Sequence, residues 1–330
     1  TRVPQDGRIS LNIDNCDIDF RVSILPLMGQ EKAVMRILDV SRGAPTIEAL
    51  GFAPNHYESL KKSIDRTSGL ILITGPTGSG KTTTLYSLLN ILNKEDVNIS
   101  TLEDPVEYFL KGINQSQVRP EVNFTFSTGL RSLLRQDPDI MMVGEIRDNE
   151  TAELAVHASL TGHLVLSTLH TNDAIGAIPR LIDMKIEPFL LNSSLVLVVA
   201  QRLVRLNCDH CLQEEKVSEE VASHAKELLS KVPPEILQNR LPDYNPEQLK
   251  FSRGTGCAYC GQTGYRSRSV IAEIIEVNEK VRDMIMQRSN FDEESIKATQ
   301  PFINMEQDGF IKALQGLTTV EEVMRVIQSD

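Results

Sequence analysis

The chain has 330 residues, of which 41% are hydrophobic and 24% charged, the composition of an ordinary folded protein long enough for two or more domains. Its formal net charge of −11 argues against a general nucleic-acid-binding protein, because such proteins need basic surface to replace the counterions of the phosphate backbone. No run of about 18 apolar residues occurs, so the sequence predicts no membrane-spanning helix.

The N-terminal region alternates apolar and polar residues from position 8 to position 40. The segments "RISLNIDNCDIDFRVSIL" and "KAVMRIL" have a period near two, which predicts short antiparallel strands of a small sheet domain. On the residues alone, Arg21 and Arg36 are surface charges on these strands, and Cys16 is a buried apolar side chain. The next segment, "SRGAPTIEALGFAPNH", is rich in glycine and proline and predicts a linker.

From residue 57 the pattern changes to helices that alternate with fully apolar strands. The strand segments are "LILITG", "VNISTLED", "DIMMVGE" and "HLVLSTLH". Strands that are apolar on both faces belong to a parallel sheet covered by helices, so we expect an α/β core. The segment "LVLVVA" has the length of a buried strand or a core helix segment, and residues 276–329 predict amphipathic helices.

A glycine-rich bend joins the first of these strands to a helix in "LILITGPTGSGKTTTLYSLLNIL". The spacing G-x-x-x-x-G-K-[ST] is satisfied by Gly75, Gly80, Lys81 and Thr82. Glycines allow backbone amides to close around phosphates, Lys81 neutralises their charge, and Thr82 is able to ligate Mg²⁺. The sequence therefore predicts a nucleoside-triphosphate site formed by Gly75, Pro76, Thr77, Gly78, Ser79, Gly80, Lys81, Thr82 and Thr83.

Hydrolysis of a nucleotide needs a group that orients or deprotonates water, and carboxylates serve this purpose. Glu145 ends the apolar segment "DIMMVGE", where a second nucleotide-binding motif should lie beside the loop. Gly144 replaces the aspartate that usually precedes this position, so we expect another acidic segment to help hold magnesium. The segment "TLEDPVEY" supplies Glu103, Asp104 and Glu107, although a solvated loop with a helix cap would explain the same cluster.

Two histidines, His163 and His170, lie within the next apolar strand and at its end. A lone histidine is more often structural than catalytic. His170, which stands beside the polar segment "TND", is the better candidate for sensing the γ-phosphate. We interpret His157 and His163 as structural or orienting residues.

Four of the five cysteines form two CxxC pairs, Cys208 with Cys211 and Cys257 with Cys260. Four thiolates suit a tetrahedral Zn²⁺ without an open coordination position, which predicts a structural metal rather than a catalytic one. His210 lies inside the first pair, yet the cysteines already complete the coordination shell. The alternative is a redox CxxC motif, but two pairs are harder to explain in that way. Cysteines used as metal ligands fit a reducing cytoplasm better than a disulfide framework does.

Taken together, these segments resemble the secretion-system ATPases of type II secretion and type IV pilus assembly. The resemblance rests on motifs in a fixed order, "GPTGSGKTTTLY", "LEDPVEY", "LLRQDPDIMMVGEIRD" and "HASLTGHLVLSTLHTNDA". They are similar to the family's phosphate loop, aspartate box, second nucleotide motif and histidine box. The segment "DFRVSILPLMGQEKAVMRIL" resembles the sheet domain that precedes the motor domain, and a glycine before Glu145 is usual in the family.

The resemblance implies a RecA-like P-loop motor domain, preceded by a small α/β (PAS-like) sheet domain, with a zinc-stapled insert and a helical C-terminus. We expect the C-terminal part of the sheet domain at 1–46, a linker at 47–56, the RecA-like ATPase core at 57–206, the tetracysteine zinc-binding subdomain at 207–266 and the helical C-terminal region at 267–330. The tetracysteine insert resembles that of secretion and pilus-extension ATPases, which favours assembly of pilin-like subunits over their removal.

The resemblance also implies a role for each site residue. Glu103 is the expected activating carboxylate, Glu145 supports the metal and the attacking water, and His170 senses the phosphate. Arg21 and Arg36 match arginines that reach the nucleotide from the sheet domain, where they would stabilise the developing negative charge as arginine fingers do.

For the whole protein, the resemblance implies a homo-hexamer that hydrolyses ATP with Mg²⁺ in the cytoplasm, peripheral to the inner membrane. The ring would pass its motion to an inner-membrane platform protein and associated cytoplasmic assembly proteins, with no nucleic-acid partner. Arg131 and Arg135, which share one helix face, would act at the site or at a subunit contact.

Two other functions share the phosphate loop. One is a nucleotide-gated ring scaffold with little hydrolysis, and a full set of catalytic side chains argues against it. The other is a nucleic-acid-translocating P-loop motor. The acidic balance of the chain and its lack of tryptophan argue against this second alternative.

Overall fold

The structure is a computed structural model that describes residues 3–13, 16–39 and 43–328. The side chains of residues 16, 17, 38 and 39 are outside that description, so the predicted burial of Cys16 lies outside the described part of the chain. Within these ranges, no helix combines the length and the apolar character needed to cross a bilayer.

The N-terminal region forms a three-stranded antiparallel sheet in the order β1–β2–β3, as its alternating pattern predicted. The strands are β1 (Gln5–Ile13), β2 (Cys16–Leu27) and β3 (Gln30–Asp39). Residues directly opposite one another share a face, so the register sets Arg8, Arg21 and Arg36 side by side. Apolar side chains occupy the other face, where Ile9 and Ile37 are 48% and 66% exposed.

Residues 43–53 connect this sheet to helix α1 (Pro54–Ile64) without a helix or strand of their own. The segment is nevertheless attached to the rest of the chain, because the carbonyl oxygen of Leu50 accepts a hydrogen bond of 2.9 Å from the backbone N–H of Val270. Gly51 has a φ of +82°, in the left-handed region that favours glycine. The predicted linker is therefore a packed connection.

The remaining strands are β4 (Gly69–Thr74), β5 (Ile99–Glu103), β6 (Asn114–Gln117), β7 (Ile140–Val143), β8 (Leu164–Leu169), β9 (Leu195–Asn207), β10 (Leu212–Glu215), β11 (Phe251–Gly254) and β12 (Tyr265–Glu276). Seven of them form one sheet in the order β12–β9–β4–β8–β7–β5–β6. All neighbours in this sheet are parallel except β12, which runs antiparallel to β9 at one edge. The apolar segments predicted as parallel strands are β4, β5, β7 and β8.

Both faces of the seven-stranded sheet are covered, which explains why its strands are apolar throughout. Along β4, Leu70 and Leu72 pack into the core on one face, whereas Ile71 and Ile73 pack into the core on the other. The helices after α1 are α2 (Lys81–Leu92), α3 (Phe126–Leu133), α4 (Asn149–Leu160), α5 (Ala177–Asp183), α6 (Pro188–Ser194), α7 (Glu219–Ser230), α8 (Pro234–Arg240), α9 (Glu279–Gln287), α10 (Glu293–Lys297), α11 (Met305–Leu314) and α12 (Val320–Ile327).

The segment between the two cysteine pairs contains α7 and α8 together with β10 and β11, which pair with each other in antiparallel fashion. Beyond β12 the chain continues as α9 to α12, in agreement with the amphipathic helices predicted there. The proposed domain boundaries remain predictions.

A buried charge cluster, formed by His56, Arg240, Asp308 and Lys312, joins α1, α8 and α11. The carboxylate of Asp308 lies 2.6 Å from the Arg240 guanidinium and 3.3 Å from the Lys312 ammonium. Burial opposes the charge on Asp308, but the two cations outweigh it and hold its pKa well below the usual value. Lys312 Nζ also donates to the carbonyl oxygen of Gly51 at 2.7 Å. The cluster therefore connects the linker, the cysteine insert and the C-terminal helices.

Candidate nucleotide and metal sites

The phosphate loop joins β4 to α2, so it lies at the carboxyl end of a parallel strand, where open α/β sheets bind ligands. Gly75, Gly78 and Gly80 have φ angles of +137°, +84° and +87°, which residues other than glycine rarely adopt. A Cβ atom at Gly75 would also lie 2.4 Å from the carbonyl oxygen of Gln201. The backbone of the loop therefore requires its glycines.

Lys81, the first residue of α2, reaches back over this loop. Its Nζ donates to the carbonyl oxygens of Gly75 at 2.7 Å and Pro76 at 3.1 Å. Burial lowers the pKa of Lys81, and the nearby Glu145 acts in the opposite direction. Ser79 is 3% exposed, and its hydroxyl has no hydrogen-bond partner within the described ranges. A buried hydroxyl of this kind beside an ammonium group fits a loop that holds an anion.

Glu145 lies two residues beyond β7 and contacts two basic side chains. One carboxylate oxygen is 3.0 Å from His170 Nε2, and the other contacts the guanidinium of Arg147. His170 follows β8, which is the parallel neighbour of β7, so the two strand ends meet at one edge of the sheet. Burial opposes ionisation of Glu145, but the hydrogen bonds from Arg147 and His170 outweigh it and lower the pKa of Glu145.

Glu103 is the last residue of β5, at the edge where the sequence predicted it, but its carboxylate is buried and only 2% exposed. Three groups donate to this carboxylate: the hydroxyl of Tyr86, the hydroxyl of Thr101 at 2.6 Å and the amide of Gln115 at 3.1 Å. Burial raises the pKa of Glu103, although these hydrogen bonds favour its charged form. The carboxylate predicted to activate water is thus enclosed by protein donors.

Other oxygen-bearing side chains at the same edge of the sheet are more accessible. Asp104 is exposed and lies 3.7 Å from the guanidinium of Arg147, while Thr82 and Thr83 are partly exposed in the first turn of α2. Carboxylate and hydroxyl oxygens are the donors that Mg²⁺ prefers. With Glu145, which shares Arg147 with Asp104, these residues supply oxygens of the type that magnesium binds.

The small sheet contacts the aspartate box through Arg21, the middle one of its three neighbouring arginines. The guanidinium of Arg21 lies 2.7 Å from the carboxylate of Glu107. Arg36, the other predicted arginine, is exposed beside it on β3. Arg8, which the sequence analysis did not single out, contacts Asp19, a carboxylate that is only 4% exposed. The structure therefore brings Arg21, but not Arg36, into contact with the predicted site.

Arg131 and Arg135 lie on the surface at the end of α3. Arg131 forms an ion pair of 2.7 Å with Glu150 on α4, and Arg135 donates to the carbonyl oxygen of Arg131 at 2.7 Å. Both arginines are exposed, so they are accessible to a neighbouring molecule.

A cavity of about 320 Å³ adjoins loop residues 76–79 and was not anticipated from the sequence. Its other side is formed by arginines of β9 and β12, namely Arg202, Arg205 and Arg268. Arg205 is held by the carboxylate of Glu322 at 2.6 Å. Guanidinium groups beside a phosphate loop suit a polyanionic ligand. The signal in the sequence was the polar run "QRLVR", which interrupts the apolar strand β9.

The candidate metal centre consists of Cys208, Cys211, Cys257 and Cys260, whose sulfur atoms all lie within 4.8 Å of one another. The closest Sγ–Sγ distances are 3.7, 3.8 and 3.9 Å. A tetrahedron with Zn–S bonds of about 2.3 Å has edges of about 3.8 Å, so the cluster has the dimensions of a zinc site. The N–H groups of Gly256 and Gly264 each donate to a cysteine sulfur at 3.3 Å, which stabilises thiolates.

The four cysteines form no disulfide, and the two residues inside each CxxC pair are exposed. His210 stacks on Tyr259 with 4.1 Å between ring centroids, outside the cluster of sulfur atoms. The donor set therefore fits zinc through the cysteines alone, as the two CxxC pairs predicted.

Comparison with known proteins identifies the family of the chain. A family model described as "Type II/IV secretion system protein" matches residues 1–325. The chain is 48% identical over 329 residues to the type II secretion system protein E of Pseudomonas aeruginosa, which covers 100% of this chain and 62% of that protein. It is 46% identical over 325 residues to the type IV pilus assembly ATPase PilB of Thermus thermophilus, which covers 98% of this chain and 35% of that protein. The chain thus spans less than two thirds of the length of either relative.

Among solved structures, the pilus retraction motor PilT with bound ADP matches with a TM-score of 0.70 and 28% sequence identity. The match covers 99% of this chain and 78% of that one. It confirms the RecA-like P-loop fold that the sequence predicted. The chain belongs to the type II/IV secretion system protein family.

Proposed function

We propose that the chain is the ATP-hydrolysing motor region of a protein that powers type II secretion or type IV pilus assembly. The names of the relatives support this function, since one is a secretion-system protein and another a pilus assembly ATPase. The observation that carries it is the phosphate loop facing the Glu145–His170 pair at neighbouring strand ends, in a chain of this family.

The side chains divide the work between binding and hydrolysis. The loop amides and Lys81 hold the phosphates, while Thr82 and the exposed Asp104 hold Mg²⁺, which supplies charge neutralisation when it is bound. Glu145, whose carboxylate is ionised at neutral pH, orients the attacking water and accepts its proton. His170, which contacts the carboxylate of Glu145, senses the terminal phosphate.

For Glu103, burial favours a positioning role over the activation of water. Its carboxylate fixes Tyr86, whose hydroxyl also accepts the backbone N–H of Glu107 at 3.3 Å. Glu107 in turn contacts Arg21. A change in the aspartate box would therefore reach the small sheet through this chain of contacts. Arg21 and Arg36 stabilise the charge that develops on the transferred phosphoryl group.

We further propose that the cysteine centre holds one structural Zn²⁺ and that the protein works as a homo-hexamer. In this arrangement it lies in the cytoplasm at the inner membrane, bound to a platform protein and associated cytoplasmic assembly proteins. The exposed Arg131 and Arg135 provide charged surface for contacts between subunits.

The test is ATP turnover per chain as a function of protein concentration, for the wild type, Arg21→Ala and the control Lys32→Ala. Lys32 is an exposed cation on the same sheet. We expect turnover per chain to rise with concentration, because a ring completes its sites between subunits. Arg21→Ala should lower turnover on the order of a hundredfold, and Lys32→Ala less than twofold.

Two outcomes would contradict the proposal. Absence of hydrolysis at every concentration, with ATP still bound, would indicate a nucleotide-gated scaffold. Turnover that rises only when single-stranded or duplex DNA is added would indicate a nucleic-acid motor.

A further inference from the structure

Gln201 is a buried amide on β9 that contacts the phosphate loop directly. Thr74 at the end of β4 pairs with Ala200, so Gln201 is level with the first residue of the loop. The side chain is completely buried. Its Nε2 donates to the carbonyl oxygen of Ser79 at 2.8 Å, and its Oε1 accepts from the hydroxyl of Thr84 at 2.8 Å. One amide therefore links the loop to the first turn of α2.

The bond to Ser79 fixes the orientation of the next backbone amide. In a planar trans peptide the carbonyl oxygen and the following N–H point in opposite directions. When Gln201 holds the Ser79 carbonyl, the N–H of Gly80 is directed away from β9, toward the inside of the loop. Gly80 has a φ of +87° and is the glycine that precedes Lys81 in the motif. Without the amide donor, the peptide between Ser79 and Gly80 loses the hydrogen bond that stabilises this orientation.

The bond to Thr84 determines which way round the amide of Gln201 sits. Because the Thr84 hydroxyl donates to Oε1, the NH₂ group of Gln201 must face Ser79. Thr84 is itself completely buried, so its hydroxyl has no water to bond instead. The two hydrogen bonds therefore support each other.

We propose that Gln201 is a positioning residue that orients the Ser79–Gly80 peptide for phosphate binding, with Thr84 holding the Gln201 amide in the required orientation. This inference rests on the proposed nucleotide site and adds a residue to it. It predicts a loss of affinity for every ligand that carries a di- or triphosphate group, because the affected N–H contacts phosphate and not the nucleoside.

The experiment compares Gln201→Met with Gln307→Met as a matched control. Gln307 is also completely buried, and its amide donates to the carbonyl oxygen of Leu228 at 3.2 Å, between α11 and α7. Each change replaces an amide by an apolar side chain of similar length and leaves a backbone carbonyl without its donor. Calorimetric titration of the purified chain with Mg-ATP, Mg-ADP and magnesium pyrophosphate gives the affinities, and thermal unfolding gives the stability.

We expect Gln201→Met to weaken all three ligands by about tenfold, while Gln307→Met leaves each affinity within about twofold. Both variants should lower the melting temperature. If Gln201→Met binds the three ligands as tightly as Gln307→Met does, the inference is wrong and Gln201 only stabilises the core. Weakening of the nucleotides without weakening of pyrophosphate would also contradict it.

Thr84→Val supplies a second line that does not depend on the folding of Gln201→Met. This change keeps the shape of the side chain and removes only the hydroxyl that orients Gln201. We expect a smaller loss of affinity, of about threefold, and no further loss when it is added to Gln201→Met. Independent, multiplying losses in the double variant would overturn the coupling between the two residues. A wild type that binds but does not hydrolyse ATP would contradict the proposed function and leave this comparison intact.

Discussion

The cysteine centre and the phosphate site are built in opposite ways. All four ligands of the cysteine centre come from two short segments, and each pair is separated by only two residues. The proposed phosphate site combines a loop after β4, the ends of β5, β7 and β8 and polar residues of β9, and an arginine from the small sheet contacts the neighbouring aspartate box. One site is closed by its own ligands, whereas the other depends on strands that are distant in sequence.

This difference predicts different responses to substitution. A tetrahedral shell that loses one thiolate loses its metal, because three ligands leave the coordination incomplete. A site assembled from many elements loses one contribution at a time. One substitution is therefore able to lower turnover while another lowers binding. The predictions below test this contrast between a cysteine centre that loses its metal with any one ligand and a phosphate site whose residues contribute separately.

The largest effect is expected for Cys208→Ser. The wild type should contain about one zinc per chain, and the variant should contain almost none and lose at least ~5 kcal/mol of unfolding free energy, because metal binding contributes directly to folding. Elemental analysis and chemical denaturation measure both. His210→Ala is the control, since His210 lies outside the sulfur cluster and its loss should leave the zinc content unchanged. A metal-free wild type with a Cys208–Cys211 disulfide would refute the zinc assignment.

In the phosphate site, Glu145→Gln should separate turnover from binding. The amide keeps the size of the side chain but cannot accept a proton, so the turnover number should fall about a thousandfold while ATP affinity stays within about threefold. Steady-state kinetics and equilibrium binding measure the two quantities. Glu153→Gln, on the exposed surface of α4, serves as the control. Normal hydrolysis by Glu145→Gln would show that another group activates the water.

Lys81→Met should act on binding itself. Removing the ammonium group should weaken Mg-ATP by about a hundredfold, which is the value of a charged hydrogen bond in a partly buried site. Lys94→Met removes an exposed lysine just beyond the same helix and should leave the affinity unchanged. Equal affinities for the two variants would contradict the predicted contact between Lys81 and phosphate.

The sequence revealed the parts of each site that are contiguous. The phosphate loop and the CxxC pairs were recognised because their chemistry depends on short, fixed spacings. Gln201 was missed because Ser79 and Thr84 are brought close to it only by the strand order, which no local pattern states. Arg147 was missed because its contact with Asp104 joins residues that follow different strands. The available signal for Gln201 was a glutamine directly after the apolar segment "LVLVVA" of β9.

Glu103 illustrates the same limit. Its position at the end of β5 was predicted, but its burial depends on Tyr86 from α2 and Gln115 from β6. Both partners lie outside the aspartate box, so the motif alone did not indicate whether the carboxylate would be open or enclosed. The motif identified the residue, and the packing of neighbouring elements determined its environment.

The smallest effect concerns the buried charge cluster, which joins α8 of the cysteine insert to α1 and α11. Burial lowers the pKa of His56 from 6.5 to about 4, with the charges of Arg240 and Lys312 acting in the same direction against Asp308. Between these values the unfolded chain binds a proton that the folded chain does not, so stability falls as the pH falls. The loss should reach about 2 kcal/mol between pH 7 and pH 4.5.

Comparison of His56→Gln with the wild type isolates this contribution, since zinc loss at low pH affects both proteins alike. We expect the variant to lose about 2 kcal/mol less than the wild type over the same interval. His157→Gln, at a half-exposed histidine of α4, should retain the full pH dependence. Parallel stability curves for His56→Gln and the wild type would place the protonation elsewhere.

The contacts between Lys81 and the carbonyl oxygens of Gly75 and Pro76 have a consequence for product release. A phosphate that enters the loop must compete with these two carbonyl oxygens for the ammonium group of Lys81. The affinity therefore reflects an exchange, and it is lower than the strength of the new ion pair alone. When the phosphate leaves, the ammonium group regains these two carbonyl partners, which offsets part of the cost of losing the ion pair. In the proposed hydrolysis cycle, where the nucleotide product leaves at every turnover, such an exchange serves better than tight retention.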